Sequence, residues 1–400
     1  MEEVKSGGSL QAPSGVSIAW AVSFSLLAFS MSLAALPPAL LRIEPEFGLG
    51  KSQLAALSVA MFLPFVVTVL SAGFLSKMIA KGAAVTFGAF LLTLGTSGIA
   101  LSGSYGTLVV GISLMGAGAG LLQGTGMSLL GELFHGAGRT RVMNYSQVAF
   151  ALGAIGVPFA MAVVLHLGGD WRLVFWMAAV VAQFSAYRLV ATRTPVVGKD
   201  EDETHEPWRW PDGFTWLLAA GMFCYVAAEV SFGYWLPIYY KEILGAVEQT
   251  AASSPGFFWT GMILGRLAAG SAGSFVRDIT LLRIASGFGT VFLVFFMFVQ
   301  TPVTALVVTF LLGLSIACIW PTILSYAGSV HVRGLTRVFP VIIGTGAIGA
   351  TGGPTLVGGL NAFVGLKDAY MVIPAIFILV FLIFLAAPRL EGMAAGRSGK

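Results

Sequence analysis

"TRTPVVGKDEDETHEPWRWPD", residues 192–212, is the densest charged and proline-containing stretch of this chain, and it decides how the rest is read. On either side lie apolar runs of roughly 20 residues, each long enough to cross ~30 Å of hydrocarbon as a helix. They fall at 16–40, 53–75, 83–102, 107–132, 142–166 and 173–192, then at 213–238, 253–275, 281–301, 304–326, 336–364 and 369–387. The expectation is an all-α polytopic membrane protein. It has an N-terminal tail 1–15, a six-helix bundle 16–192, a linker 193–212, a second six-helix bundle 213–387 and a C-terminal tail 388–400.

Composition supports this. The chain is 57% hydrophobic and 10% charged, far below the ~25% charged residues of a soluble domain. Cys224 and Cys318 both lie in apolar runs, so neither a disulfide framework nor a zinc site is expected. The first run, 16–40, is too long for the apolar core of a signal peptide and reads as a retained first helix. With both ends placed in the cytoplasm, sixteen Lys and Arg fall in inner loops and tails and five in outer loops. That asymmetry follows the positive-inside rule, so the net charge of +4 is an insertion signal and no nucleic-acid partner is needed.

The halves echo each other. "LP" at Leu36 and Pro37 recurs at Leu236 and Pro237, "GRTRV" at 138–142 recurs as "GLTRV" at 334–338, and "GAIG" at 153–156 recurs at 346–349. Two parallel repeats related by an axis along the membrane normal are the arrangement of major facilitator transporters, which bind solute near the midplane between halves.

Inside "YVAAEVSFGYW", residues 225–235, stands Glu229. An ionised carboxylate there costs at least ~2.5 kcal/mol. Its expected partner is Arg266 in "GMILGRLAAG": helical rise places the two roughly 13 and 19 Å from the outer ends of their spans, a gap a long side chain bridges. A pair broken by protonation would be a proton switch; Glu229 as a purely structural partner, and Arg266 snorkelling to the cytoplasmic interface, stay open. Tyr225 shares a helical face with Glu229, and Gly233 before Pro237 predicts a kink or broken turn near Trp235. In "CIWPTILSY", Pro321 frees the carbonyl of Ala317 and Trp320 offers a flat face with one donor, suited to sugar-like solutes or to helix packing. Gln123 lies at the corresponding depth of the first half, and Asn144 and Gln147 share one face of the fifth helix. The expected solute-binding set is therefore Gln123, Asn144, Gln147, Tyr225, Trp235 and Trp320, with Glu229 and Arg266 for proton coupling.

Other patterns lead nowhere. "GLGKS", 48–52, lacks the first glycine of a P-loop, since Pro45 stands there, and it lies in an outer loop. The histidines show no metal-ligand spacing. No cofactor, metal or catalytic residue is expected.

"YVAAEVSFGYW", "GFFWTGMILGRL", "WPTILSYA" and "MNYSQVAFALGAIGVP" together resemble the fucose/glucose/galactose proton-symporter family of facilitators. The resemblance implies import of a monosaccharide with a proton. The fucose porter of that family carries acids in its first and fourth helices. Here the first span has serines, Phe29 takes the repeat position of Glu229, and Glu132 lies near the cytoplasmic end of the fourth helix. The superfamily loop motif reads "GFLSKMIAKG", with Ser76 where an acid is usual and Lys77 and Lys81 retained. The expected function is alternating-access transport of a small polar solute by a monomer in the plasma membrane, termini cytoplasmic. Export of an amphipathic or cationic compound and a non-transporting sensor are the alternatives.

Overall fold

The computed structural model describes residues 15–134, 136–192, 212–272, 276–330 and 335–398. The expected linker, apart from Asp212, lies outside them. Twelve long helices follow in order: α1 (Gly15–Phe47), α2 (Lys51–Met78), α3 (Lys81–Ala100), α4 (Tyr105–Leu121, continued through a π-turn at Leu122–Gly126 into Met127–Leu133), α5 (Gly136–His166), α6 (Arg172–Ala191), α7 (Gly213–Glu242), α8 (Glu248–Ala272), α9 (Asp278–Phe296), α10 (Pro302–Ile316, resuming as Ile319–Val330), α11 (Leu335–Val364) and α12 (Val372–Ser398). A short helix, Leu366–Tyr370, leads into α12. Eleven spans are long and apolar enough to cross a membrane. α8, 25 residues long, falls outside that set among the described residues. Its Ala251, Ala252, Ser254, Phe258 and Met262 are buried against neighbouring helices, so protein rather than lipid receives that face.

Small residues bring the helices together in both halves of the chain. A Cβ on Gly116 of α4 would lie 2.1 Å from the Met61 carbonyl of α2, and one on Gly313 of α10 would lie 2.2 Å from the Phe258 carbonyl of α8. Such backbone contact is how membrane helices associate without a hydrophobic drive. The two contacts are related by a shift of 197 residues. The same shift relates Gly48 to Gly245 and Gly168 to Gly365, all four at positive φ in loops at one end of the bundle. The internal repeat is thus written into turn and packing geometry as well as into the matched short motifs.

That end is sealed across the two halves. Arg42 of α1 holds Glu248 of α8, its Nε 2.6 Å from one carboxylate oxygen and its Nη2 2.7 Å from the other. Lys51 of α2 pairs with Glu44 at 2.6 Å and with Glu242 of α7. His166 of α5 meets Gln249 at 3.2 Å, and the Tyr234 hydroxyl of α7 donates to the Leu54 carbonyl of α2 at 2.6 Å. Arg42, Glu44 and Glu46 extend α1 beyond its expected apolar limit; Glu46 accepts from Trp171 at 2.8 Å and from Arg172. Toward the opposite end Lys81 pairs with Glu132, joining the start of α3 to the end of α4.

Candidate functional site

Glu229 lies near the middle of α7, on a helix whose remaining buried residues are apolar, small or aromatic. It is half-buried, and the two polar groups that act on its carboxyl are Tyr225, one helical turn earlier on the same face, and Arg266 of α8. No direct ion pair joins Glu229 to Arg266. Both helices run further toward the sealed end than the apolar spans imply, α7 to Glu242 and α8 from Glu248. Glu229 therefore lies ~20 Å and Arg266 ~27 Å from that end along their axes.

The direction of Arg266 follows from helical periodicity. It stands seven residues after Trp259, on the same face. Trp259 packs on Phe150 of α5 at 6.3 Å, and Phe150 on Phe29 of α1 at 5.5 Å, so this face of α8 looks across to the first half. The guanidinium is exposed on that side, and its Nε donates to the Ala317 carbonyl at 3.4 Å. Ala317 sits in the gap of α10, where the helix ends at Ile316 and resumes at Ile319. The freed Ala317 carbonyl is the one expected from the sequence, since Pro321 supplies no N–H to the carbonyl four residues earlier; the gap in the helix beside it is the structure's addition. Tyr225, fully buried, donates to the preceding carbonyl, Ile316, at 3.4 Å. One acid, two donors and two main-chain acceptors thus gather from α7, α8 and α10.

Trp320 follows the break and is 39% exposed. In the first half the matching irregularity is the π-turn of α4, which contains Gln123, 197 residues before Trp320. π-turns inside α-helices are frequent at functional sites. Gln123 is half-buried there; Gln147 of α5 is exposed and reaches back to α4, its Nε2 4.0 Å from the Met127 sulfur just past the turn. Asn144 belongs to α5, and its side chain lies outside the described residues.

The structure differs from three expectations. Trp235, expected to face solute, sits in helix packing: it is 0% exposed, and its one donor is taken by the Pro354 carbonyl of α11 at 3.0 Å. It wedges α7 against α11, where a Cβ on Gly358 would lie 2.8 Å from the indole. Nor does α7 break at Gly233: the helix is continuous through Pro237 to Glu242. Trp235, Tyr234 and Tyr239 are all buried around that turn and hold it in helical form despite the missing donor. Tyr225, expected to face solute, is likewise fully buried, with its hydroxyl donating to the Ile316 carbonyl. What sequence reasoning missed was the Ile316 carbonyl and the α4 π-turn; the glycines around Gln123 were the available signal for the second.

Comparison with known proteins agrees with this architecture. The sequence profile of the Major Facilitator Superfamily matches residues 18–339. The chain is 23% identical over 346 residues to the glucose/mannose transporter GlcP of Bacillus subtilis, covering 82% of this chain and 84% of that one. Among solved structures, it superposes with a TM-score of 0.77 on a bacterial homologue of the human lysosomal transporter Spinster, crystallised inward-facing and unoccupied, at 12% identity over 97% of this chain and 99% of that one. The fucose:proton symporter FucP of E. coli gives a TM-score of 0.63 at 16% identity, over 94% of this chain and 99% of that one.

Proposed function

The chain belongs to the Major Facilitator Superfamily, and from that premise we propose that this multi-pass membrane transporter carries a monosaccharide together with a proton. The observation that carries the reading is the mid-helix acid Glu229, attended by Tyr225 and Arg266 beside the opened turn of α10. A carboxyl in that setting gains and loses a proton without a metal or cofactor, and an arginine that looks across the central space responds to its charge. Trp320 supplies an aromatic face for a sugar ring, and Gln123 and Gln147 supply amides from the opposite half. The similarity to a glucose/mannose transporter favours a hexose-like solute.

The distribution of Lys and Arg supports cytoplasmic termini, and we take the plasma membrane to be the site of residence. In that orientation the sealed end is the outer one, and the conformation is closed to the outside, with the Arg42–Glu248 and Lys51–Glu242 pairs as its outer gate. We take the functional unit to be a single chain, since the solute path runs between its own halves.

Uptake of a panel of hexoses, pentoses and deoxyhexoses into proteoliposomes, with and without an inward proton gradient, tests this. Accumulation of one sugar class above equilibrium, only with the gradient, is expected. Sugar-independent export of lipophilic cations would instead establish the amphipathic-compound alternative.

A further inference from the structure

The geometry around α10 reaches beyond the identity of the proton group. Pro321 leaves the Ala317 carbonyl without its helical donor, and main-chain carbonyls away from water find a partner. Here the partner is a side chain of another helix, Arg266, at 3.4 Å. The Ile316 carbonyl takes the Tyr225 hydroxyl at the same distance, 3.4 Å. Both donors also interact with Glu229. A carboxylate on α7 and two carbonyls on α10 therefore draw on one pair of donors.

The contact between α8 and α10 is otherwise fixed. A Cβ on Gly265 would lie 2.2 Å from the Leu314 carbonyl and 2.7 Å from the Ala317 Cβ, so the main chains meet one residue before Arg266. The helices are held together while the guanidinium stands exposed beyond that contact. Around the carboxylate the titratable groups are Tyr225 from α7, Arg266 from α8 and Cys318 from α10. α12 meets Tyr225 here through Phe377, α11 meets α7 through Gly346, Gly349 and Gly353, and α1 carries no titratable residue between its first residue and Arg42. Arg266 is thus the one cation positioned to answer a change in charge on Glu229 among the described residues.

Resting on the reading of Glu229 as the proton carrier, we propose that Arg266 is a positioning residue that couples the charge of Glu229 to the shape of α10. When the carboxyl is protonated, the guanidinium caps the Ala317 carbonyl and holds the turn as seen here. When the carboxylate is charged, the guanidinium swings to it and releases the carbonyl, which becomes an acceptor for water or a solute hydroxyl. Trp320, three residues along, moves with the turn, so protonation and the sugar platform are linked through one side chain. The proton enters and leaves only at the Glu229 carboxyl, and no covalent step is needed.

The test is amide hydrogen exchange of the full chain in nanodiscs, read as protection factors over residues 318–324 across a pH series. Wild type should lose roughly tenfold protection there as pH rises through the titration of Glu229, the scale of one hydrogen bond. Glu229→Gln should hold the protected value at every pH. Pro321→Ala returns an N–H to the Ala317 carbonyl; the pH response should shrink severalfold while Glu229 remains. An unchanged pH response in Pro321→Ala, or none in wild type, overturns the coupling. Should Pro321→Ala not fold, a pH response persisting in Glu229→Gln overturns it equally. Retained gradient-driven uptake in Glu229→Gln is a different result, and would remove the proton-carrier reading itself.

Discussion

The two halves of the molecule are built alike and equipped differently. In both, the fourth helix of the half packs backbone to backbone on the second through a glycine, Gly116 or Gly313, and in both that helix is irregular at the corresponding depth. Yet the chemistry diverges at the first helix. The packing shift of 197 residues sets Ser32 opposite Glu229, whereas the "LP" match sets Phe29 there; neither ionises. Ser32 is buried, with its hydroxyl bonded to the Ala28 carbonyl at 2.8 Å and to Thr96 at 3.1 Å. Phe29 stacks on Phe65 at 5.6 Å and closes an aromatic row across to Trp259. The symmetric features are those that let helices approach and slide, and the asymmetric ones are those that carry charge.

This comparison can be broken, starting with its symmetric part. Gly116→Leu and Gly313→Leu should each remove most folded protein, since each drives a side chain into a backbone carbonyl at a contact shorter than any real Cβ makes; overpacking costs about 1–3 kcal/mol or more. Thermal stability in detergent checks this, and a benign result in one half alone would break the equivalence. Next in size is the gate. Arg42→Ala or Glu248→Ala should shift the population toward opening of the sealed end by roughly fivefold, because partly exposed pairs contribute up to about 1 kcal/mol. Pairs of spin labels across α1 and α8 report it, and an unaltered distance distribution would show the gate to be held elsewhere. Trp320→Ala should raise the KM for sugar by roughly three- to tenfold, the scale of one aromatic contact. Trp235→Phe should leave KM untouched and lower stability by about 1 kcal/mol, one buried hydrogen bond lost. A KM effect for Trp235 equal to that of Trp320 would contradict the assignment of one to packing and the other to solute.

Much of this was legible in the sequence. Hydropathy and basic-residue asymmetry specify helix number and order because the bilayer penalises any other arrangement of so apolar a chain. The freed carbonyl in α10 was readable because proline removes a named donor; the gap beside it was not. The burial of Trp235 was hidden because spacing tells which residues share a face but not which neighbour covers that face; α11 covers it, with Gly358 making the room. The unbroken α7 has the same cause: buried aromatic packing overrides a local proline preference. The outer ion pairs were hidden because Arg42, Glu44 and Glu46 look like loop residues once the apolar run ends. The relation of Arg266 to Glu229 was half visible, since charge and depth suggested a pair while the competing Ala317 carbonyl emerged only from the packing of α8 on α10.

The central claim is that one acid, in one half, carries the proton. Sugar uptake by Glu229→Gln in proteoliposomes tests it most directly, comparing gradient-driven accumulation with counterflow exchange at equal pH. The account predicts that accumulation is lost while exchange persists; accumulation at the wild-type level would contradict it.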